Sequence, residues 1–113
     1  MSTNLQQVQD DEAGFIDEFW KNHILNHLKK YITLQCVSRH YDGKWKDTLP
    51  EAAKLAHNWI QDLKIPGAKV SLETPPKEDN RTPFVLIELP GTVNKTVLFY
   101  GHFDKQPAGE GWT

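Results

Sequence analysis

Thr96-Val97-Leu98-Phe99-Tyr100-Gly101-His102-Phe103-Asp104-Lys105-Gln106-Pro107 is an apolar run that empties into a His-x-Asp pair and a loop. Residues 96–100 are nearly all apolar, the pattern of a strand covered on both faces rather than one. Such a strand demands helices on either side, so the stretch predicts an α/β fold. Open α/β sheets gather their ligands outside the carboxyl ends of strands. That is where His102 and Asp104 fall. In extended backbone, residues two apart face the same side, so the imidazole and the carboxylate can be adjacent.

The elements upstream support this reading. Residues 84–89 form a second strand, closed by the turn Pro90-Gly91. Val70 and Leu72 alternate with Lys69, Ser71 and Glu73, the signature of a half-buried strand. Residues 74–83 are rich in proline and charge and read as an exposed connection. Before them, Leu55, Ala56, Trp59, Ile60 and Leu63 give a helix a narrow apolar face. Thr48 reads as its N-cap, with Pro50 in the first turn and Glu51 at the capping-box position; Pro66-Gly67 reads as its stop. Residues 39–47 read as a polar loop holding Tyr41, Gly43 and Trp45. Ile16, Phe19, Trp20, His23, His27, Leu28 and Tyr31 recur at three- and four-residue spacing, which makes residues 15–35 a helix. Trp20 and Trp59 are expected to pack the two helices together.

The expected architecture is thus α/β, two N-terminal helices followed by β-strands, with residues 1–14 a flexible tail and residues 15–113 the folded part. No helix follows the third strand, although a sheet buried on both sides needs one. On packing grounds the chain is expected to be the N-terminal portion of a larger, three-layer domain.

Composition narrows the function. A formal net charge of −2 gives no basic field, which argues against nucleic acid and against an anionic membrane surface. No apolar run approaches the roughly 18 residues of a membrane span. The acidic, polar N-terminus has no apolar core of a signal peptide, so the expected location is cytoplasmic. The single cysteine, Cys36, excludes an internal disulfide and a thiolate zinc cluster, and reads as a small buried residue.

His102 and Asp104 are the residues that can carry chemistry. A carboxylate beside a metal-bound imidazole fixes its tautomer and raises its basicity. Equally, both groups could be ligands, or the pair could simply cap a strand end. Gly101 allows close backbone approach and Pro107 restricts the loop. Lys105 reads as a surface charge in preference to a substrate contact. His23 and His27 are four apart on a helix, but Ile24 stands where an H-E-x-x-H motif needs its glutamate, so they read as packing residues. His57 reads as solvated, and His40 as a loop residue.

The stretch Val97-Leu98-Phe99-Tyr100-Gly101-His102-Phe103-Asp104-Lys105-Gln106-Pro107 resembles the first metal-binding motif of the M20 family of zinc metallopeptidases. Its likeness is to the carnosinase-like dipeptidases, whose version reads approximately Y-G-H-x-D-x-Q-P. Gly111-Trp112 resembles a G-W that follows the motif, and residues 32–38 resemble an I-x-x-x-x-V-S element that precedes it. The resemblance implies that His102 is a metal ligand to one of two zinc ions. It implies that Asp104 is the catalytic-site acid that orients or polarises His102. It also implies hydrolysis of short peptides or acylated amino acids, and a homodimer formed through a lid domain absent here. The remaining ligands and the general base of the family have no counterpart up to Thr113, so the chain alone is expected to be inactive and at most a weak zinc binder. The rival expectation is a truncated or pseudoenzyme remnant that acts as a non-catalytic binding protein.

Overall fold

A computed structural model describes residues 5–111, in two compact units: one up to Thr33 and one from Leu34 onward. The described residues of the first, 5–33, are all helical. Helix α1 spans Leu5–Phe19, a π-helical turn spans Trp20–Ile24, and α2 spans Leu25–Thr33. The helix therefore begins within the stretch expected to be a tail. Gln6, Gln7 and Glu12 are good helix formers, and Gly14, which costs about 1 kcal/mol in a helix, is carried along. Phe15, Phe19 and His23 stack in succession, with ring centroids 5.6 and 4.7 Å apart, and Lys21 pairs with Asp17 one turn earlier at 2.5 Å. The π turn adds a residue to one turn of the spiral and swings the apolar stripe around the axis. None of the described side chains of this unit is buried: Ile16 stays 64% exposed and Trp20 44%.

The second unit holds helix α3 (Trp45–Asp62) and strands β1 (Lys69–Glu73) and β2 (Phe84–Glu88). The expected helix start is corrected here. Asp42 accepts the backbone N–H of Lys44 at 2.9 Å and turns the chain into α3, so Trp45 leads the helix and Pro50 sits inside it. Thr48 bonds back to the Lys44 carbonyl at 3.4 Å and caps nothing. The expected stop is corrected too. The helix closes at Leu63, and Lys64 takes the left-handed conformation (φ 49°), its N–H bonded to the Gln61 carbonyl. Gly67, also left-handed at φ 76°, instead turns the chain into β1.

β1 and β2 pair antiparallel, with Lys69 opposite Glu88, Ser71 opposite Leu86 and Glu73 opposite Phe84. Residues 74–83 connect them, tied by an Arg81–Asp79 pair and by a Lys77–Asp47 pair that reaches back to α3. The fold is a mixed one of helices and a two-stranded sheet. The third strand expected at residues 96–100 does not form. A strand exists by its ladder partner, and among the described residues none pairs with it; Val97, Leu98, Phe99 and Tyr100 are 77–90% exposed. The core is small and consists of Cys36, Leu49, Ala52 and Ala53, with Ser38 and Pro83 at its margin. Leu49, Ala52 and Ala53 are three and four residues apart on one face of α3, next to the segment that carries His102.

Candidate functional site

The His-x-Asp loop is held by main chain rather than by a sheet. Val37 and Lys105 form an isolated parallel bridge, in which Ser38 N–H donates to the Lys105 carbonyl at 2.8 Å and Lys105 N–H to the Cys36 carbonyl at 2.9 Å. The Cys36 thiol donates to the Phe103 carbonyl at 3.6 Å, and the Lys105 ammonium donates to the Leu34 carbonyl at 2.6 Å. Residues 103–105 are thereby registered against residues 34–38 by four hydrogen bonds. Lys105, expected as a surface charge, is an anchor.

On this platform His102 and Asp104 come together as expected. His102 Nδ1 lies 2.9 Å from Asp104 Oδ1 and 3.1 Å from the Asp104 carbonyl oxygen. Both neighbours are acceptors, so Nδ1 must carry the proton. In the neutral ring the lone pair then resides on Nε2. The His102 side chain is 73% exposed and that of Asp104 33%. Partial burial pushes the Asp104 carboxyl up, but hydrogen bonds from the Ser38 hydroxyl, the His102 ring and its own backbone, with the His102 charge, outweigh it. The group therefore lies below its ordinary 3.8 and is ionised at neutral pH. A cleft of about 180 Å³ opens beside the pair, walled by Leu49, Pro83, Phe84 and Tyr100. A side chain at Gly101 would meet nothing within 4 Å, so the expected close approach there is not used.

This arrangement offers one imidazole nitrogen, oriented by a carboxylate, at the mouth of a cleft. That fits a single ligand position of a zinc centre. It does not close one, because zinc takes three or four protein ligands. Among the described residues no group of three or more His, Cys, Asp or Glu side chains could hold a metal ion. His23 stacks on Phe19 in the π turn, and His57 Nδ1 lies 3.2 Å from Asn58 Oδ1. Trp112, singled out with Gly111 in the sequence, lies outside the described residues.

Sequence reasoning found the pair and missed its support. Ser38 was legible only as the last residue of the I-x-x-x-x-V-S element at residues 32–38, since nothing local says that residues 36–38 meet residues 103–105. No helix among the described residues is long and apolar enough to cross a membrane. No protein-family model, curated protein or solved structure matches this chain.

Proposed function

We propose that this chain is the metal-ligand-bearing N-terminal part of a zinc-dependent amide hydrolase of the M20 type, acting on short peptides or acylated amino acids, with His102 as a terminal zinc ligand and Asp104 as the carboxylate that orients it. The observation that carries the proposal is the 2.9 Å contact between His102 Nδ1 and Asp104 Oδ1, which leaves Nε2 as the ligating atom. The Y-G-H-x-D-x-Q-P resemblance supports the family, and the three-layer domain belongs to the same proposal. When bound, a pair of zinc ions supplies a nucleophilic hydroxide at neutral pH and polarises the scissile carbonyl. The part played by this chain is narrower: it holds one imidazole in one tautomer, with the carboxylate ionised behind it. A water-activating centre needs further donors, so this chain alone has no peptidase activity.

The test has two arms. Zinc titrated into the chain shifts the His102 imidazole signals before those of His23, His27, His40 and His57, and His102→Ala removes that preference. In the full reading frame containing the chain, the zinc-loaded protein cleaves dipeptides, and the same substitution abolishes turnover while leaving the fold intact. Equal zinc response at all five histidines, or turnover indifferent to His102→Ala, overturns the proposal.

A second reading, a non-catalytic binding protein, is favoured by one observation: four consecutive large apolar side chains, Val97, Leu98, Phe99 and Tyr100, stand 77–90% exposed. It requires no metal. A partner whose binding persists in chelator and in His102→Ala, but is lost in Phe99→Asp, would select it.

A further inference from the structure

Strand β1 ends in Glu73, which stands opposite Phe84 at the start of β2. Directly opposed residues of an antiparallel pair project from the same face, so the carboxylate and the ring flank one opening. That opening is a cavity of about 650 Å³, within the range of small-molecule sites, with Arg39, Arg81, Pro75 and Pro76 on its wall. The charges on this wall are not equivalent. Arg81 is committed to Asp79, its Nε and Nη2 each 2.8 Å from Asp79 Oδ2. Arg39 Nη1 donates to the Asn80 carbonyl at 3.0 Å, and among the described residues Arg39 has no carboxylate partner. Glu73 likewise makes no ion pair among the described residues. The Asn80 anchor leaves the Nε–Nη2 edge of Arg39 as an uncommitted fork, the geometry that receives a carboxylate bidentately. The wall itself is held in place. The Lys46 ammonium donates to the Lys77 carbonyl at 2.7 Å, and Asp79 N–H donates to the Pro76 carbonyl at 2.9 Å.

We propose that this cavity binds a free amino acid or short peptide as its zwitterion, the terminal carboxylate on Arg39, the terminal ammonium on Glu73, and an apolar side chain against Phe84 and the two prolines. A simple anion would gain Arg39 and meet repulsion from Glu73. A simple cation would meet the reverse. Only a ligand that carries both charges satisfies both groups, since Arg81 is already neutralised by Asp79. Phe84 is 51% exposed and gives an apolar ligand body a surface to cover. Both charged partners reach solvent, so each contact is modest and the affinity is millimolar. The cavity is distinct from the His102–Asp104 pair, although Thr82 and Phe84 also wall the cleft in front of His102. It takes its ligand whether or not His102 takes zinc.

The experiment is an NMR titration of the intact chain, in chelator and at neutral pH, with three probes: leucine, N-acetylleucine and leucinamide. Leucine gives saturable shifts at Arg39, Glu73 and Phe84. N-acetylleucine lacks the ammonium and leucinamide lacks the carboxylate. Each binds roughly three- to tenfold more weakly, between what an exposed ion pair and a charge-assisted hydrogen bond lose. Arg39→Gln erases the advantage of leucine over leucinamide and keeps its advantage over N-acetylleucine. Glu73→Gln does the converse. The three probes are compared on the unaltered chain, so their ranking decides the matter even where a variant fails to fold. His102→Ala leaves leucine binding unchanged, which separates this site from the zinc reading: loss of zinc response at His102 with leucine still bound sinks that reading alone. Absence of saturable shifts, equal affinity for all three probes, or shifts centred on His102 and Leu49 instead of Arg39 and Glu73 overturns the proposal.

Discussion

Leu49→Ala tests whether the small core beside the His-x-Asp loop supports the second unit. Leu49 is 2% exposed and is, with Cys36, the largest fully buried side chain of the described residues. The substitution removes roughly three methylene equivalents at about 0.8 kcal/mol each, a transfer cost of about 2.4 kcal/mol. A closed cavity would add to this, as in the core substitutions that reach about 5 kcal/mol. Leu49 also walls the cleft of about 180 Å³ in front of His102, so the void merges with solvent-accessible space and adds little. The expected loss is therefore about 2–3 kcal/mol. A unit of about 80 residues has a total stability of roughly 4–12 kcal/mol, so the loss is a large share of it. Urea unfolding monitored through the tryptophans measures it as a lower midpoint at unchanged slope. A loss below about 1 kcal/mol would mean that Leu49 is not packed as described. A loss above about 4 kcal/mol would mean that the cleft does not reach it.

Three further outcomes are expected. Lys64 holds a left-handed conformation that favours glycine, so Lys64→Gly raises stability by about 0.5–1 kcal/mol in the same unfolding assay; a loss would show that the Lys64 side chain contributes more than its backbone costs. Lys105→Met removes the ammonium bond to the Leu34 carbonyl and costs about 1–2 kcal/mol, seen as faster hydrogen exchange at the Ser38 and Lys105 amides; unchanged exchange would show that the main-chain bridge suffices. Because the Asp104 carboxyl is held below 3.8 in the fold, its contribution is complete above about pH 4 and fades as pH falls through the lowered folded value. Carbon NMR titration of Asp104 gives a midpoint below 3.8, and a midpoint above it would show burial winning over the hydrogen bonds.

The two strands β1 and β2 were legible because they declare themselves locally. Val70 and Leu72 alternate with polar neighbours, and the proline-rich residues 74–83 can only be a connection. The His102–Asp104 contact was legible for the same reason, as two side chains two apart in one loop. The ends of α3 were not. Thr48-Leu49-Pro50-Glu51 spells a helix start, but Asp42 reached Lys44 first, and a cap is decided by which side chain finds the free N–H in three dimensions. The π turn at Trp20–Ile24 leaves no mark in a periodicity read at three and four residues.

By itself the sequence determined that helices precede strands, that no strong charge field exists, and that an imidazole and a carboxylate share a loop. Only the tertiary structure decided that residues 96–100 find no ladder partner among the described residues, since a ladder needs a second strand that local composition cannot supply. It also decided that Ser38, Cys36 and Lys105 hold the loop from across the chain. Hydrogen bonds between segments nearly seventy residues apart in sequence follow from how the chain closes on itself, and no local pattern encodes them.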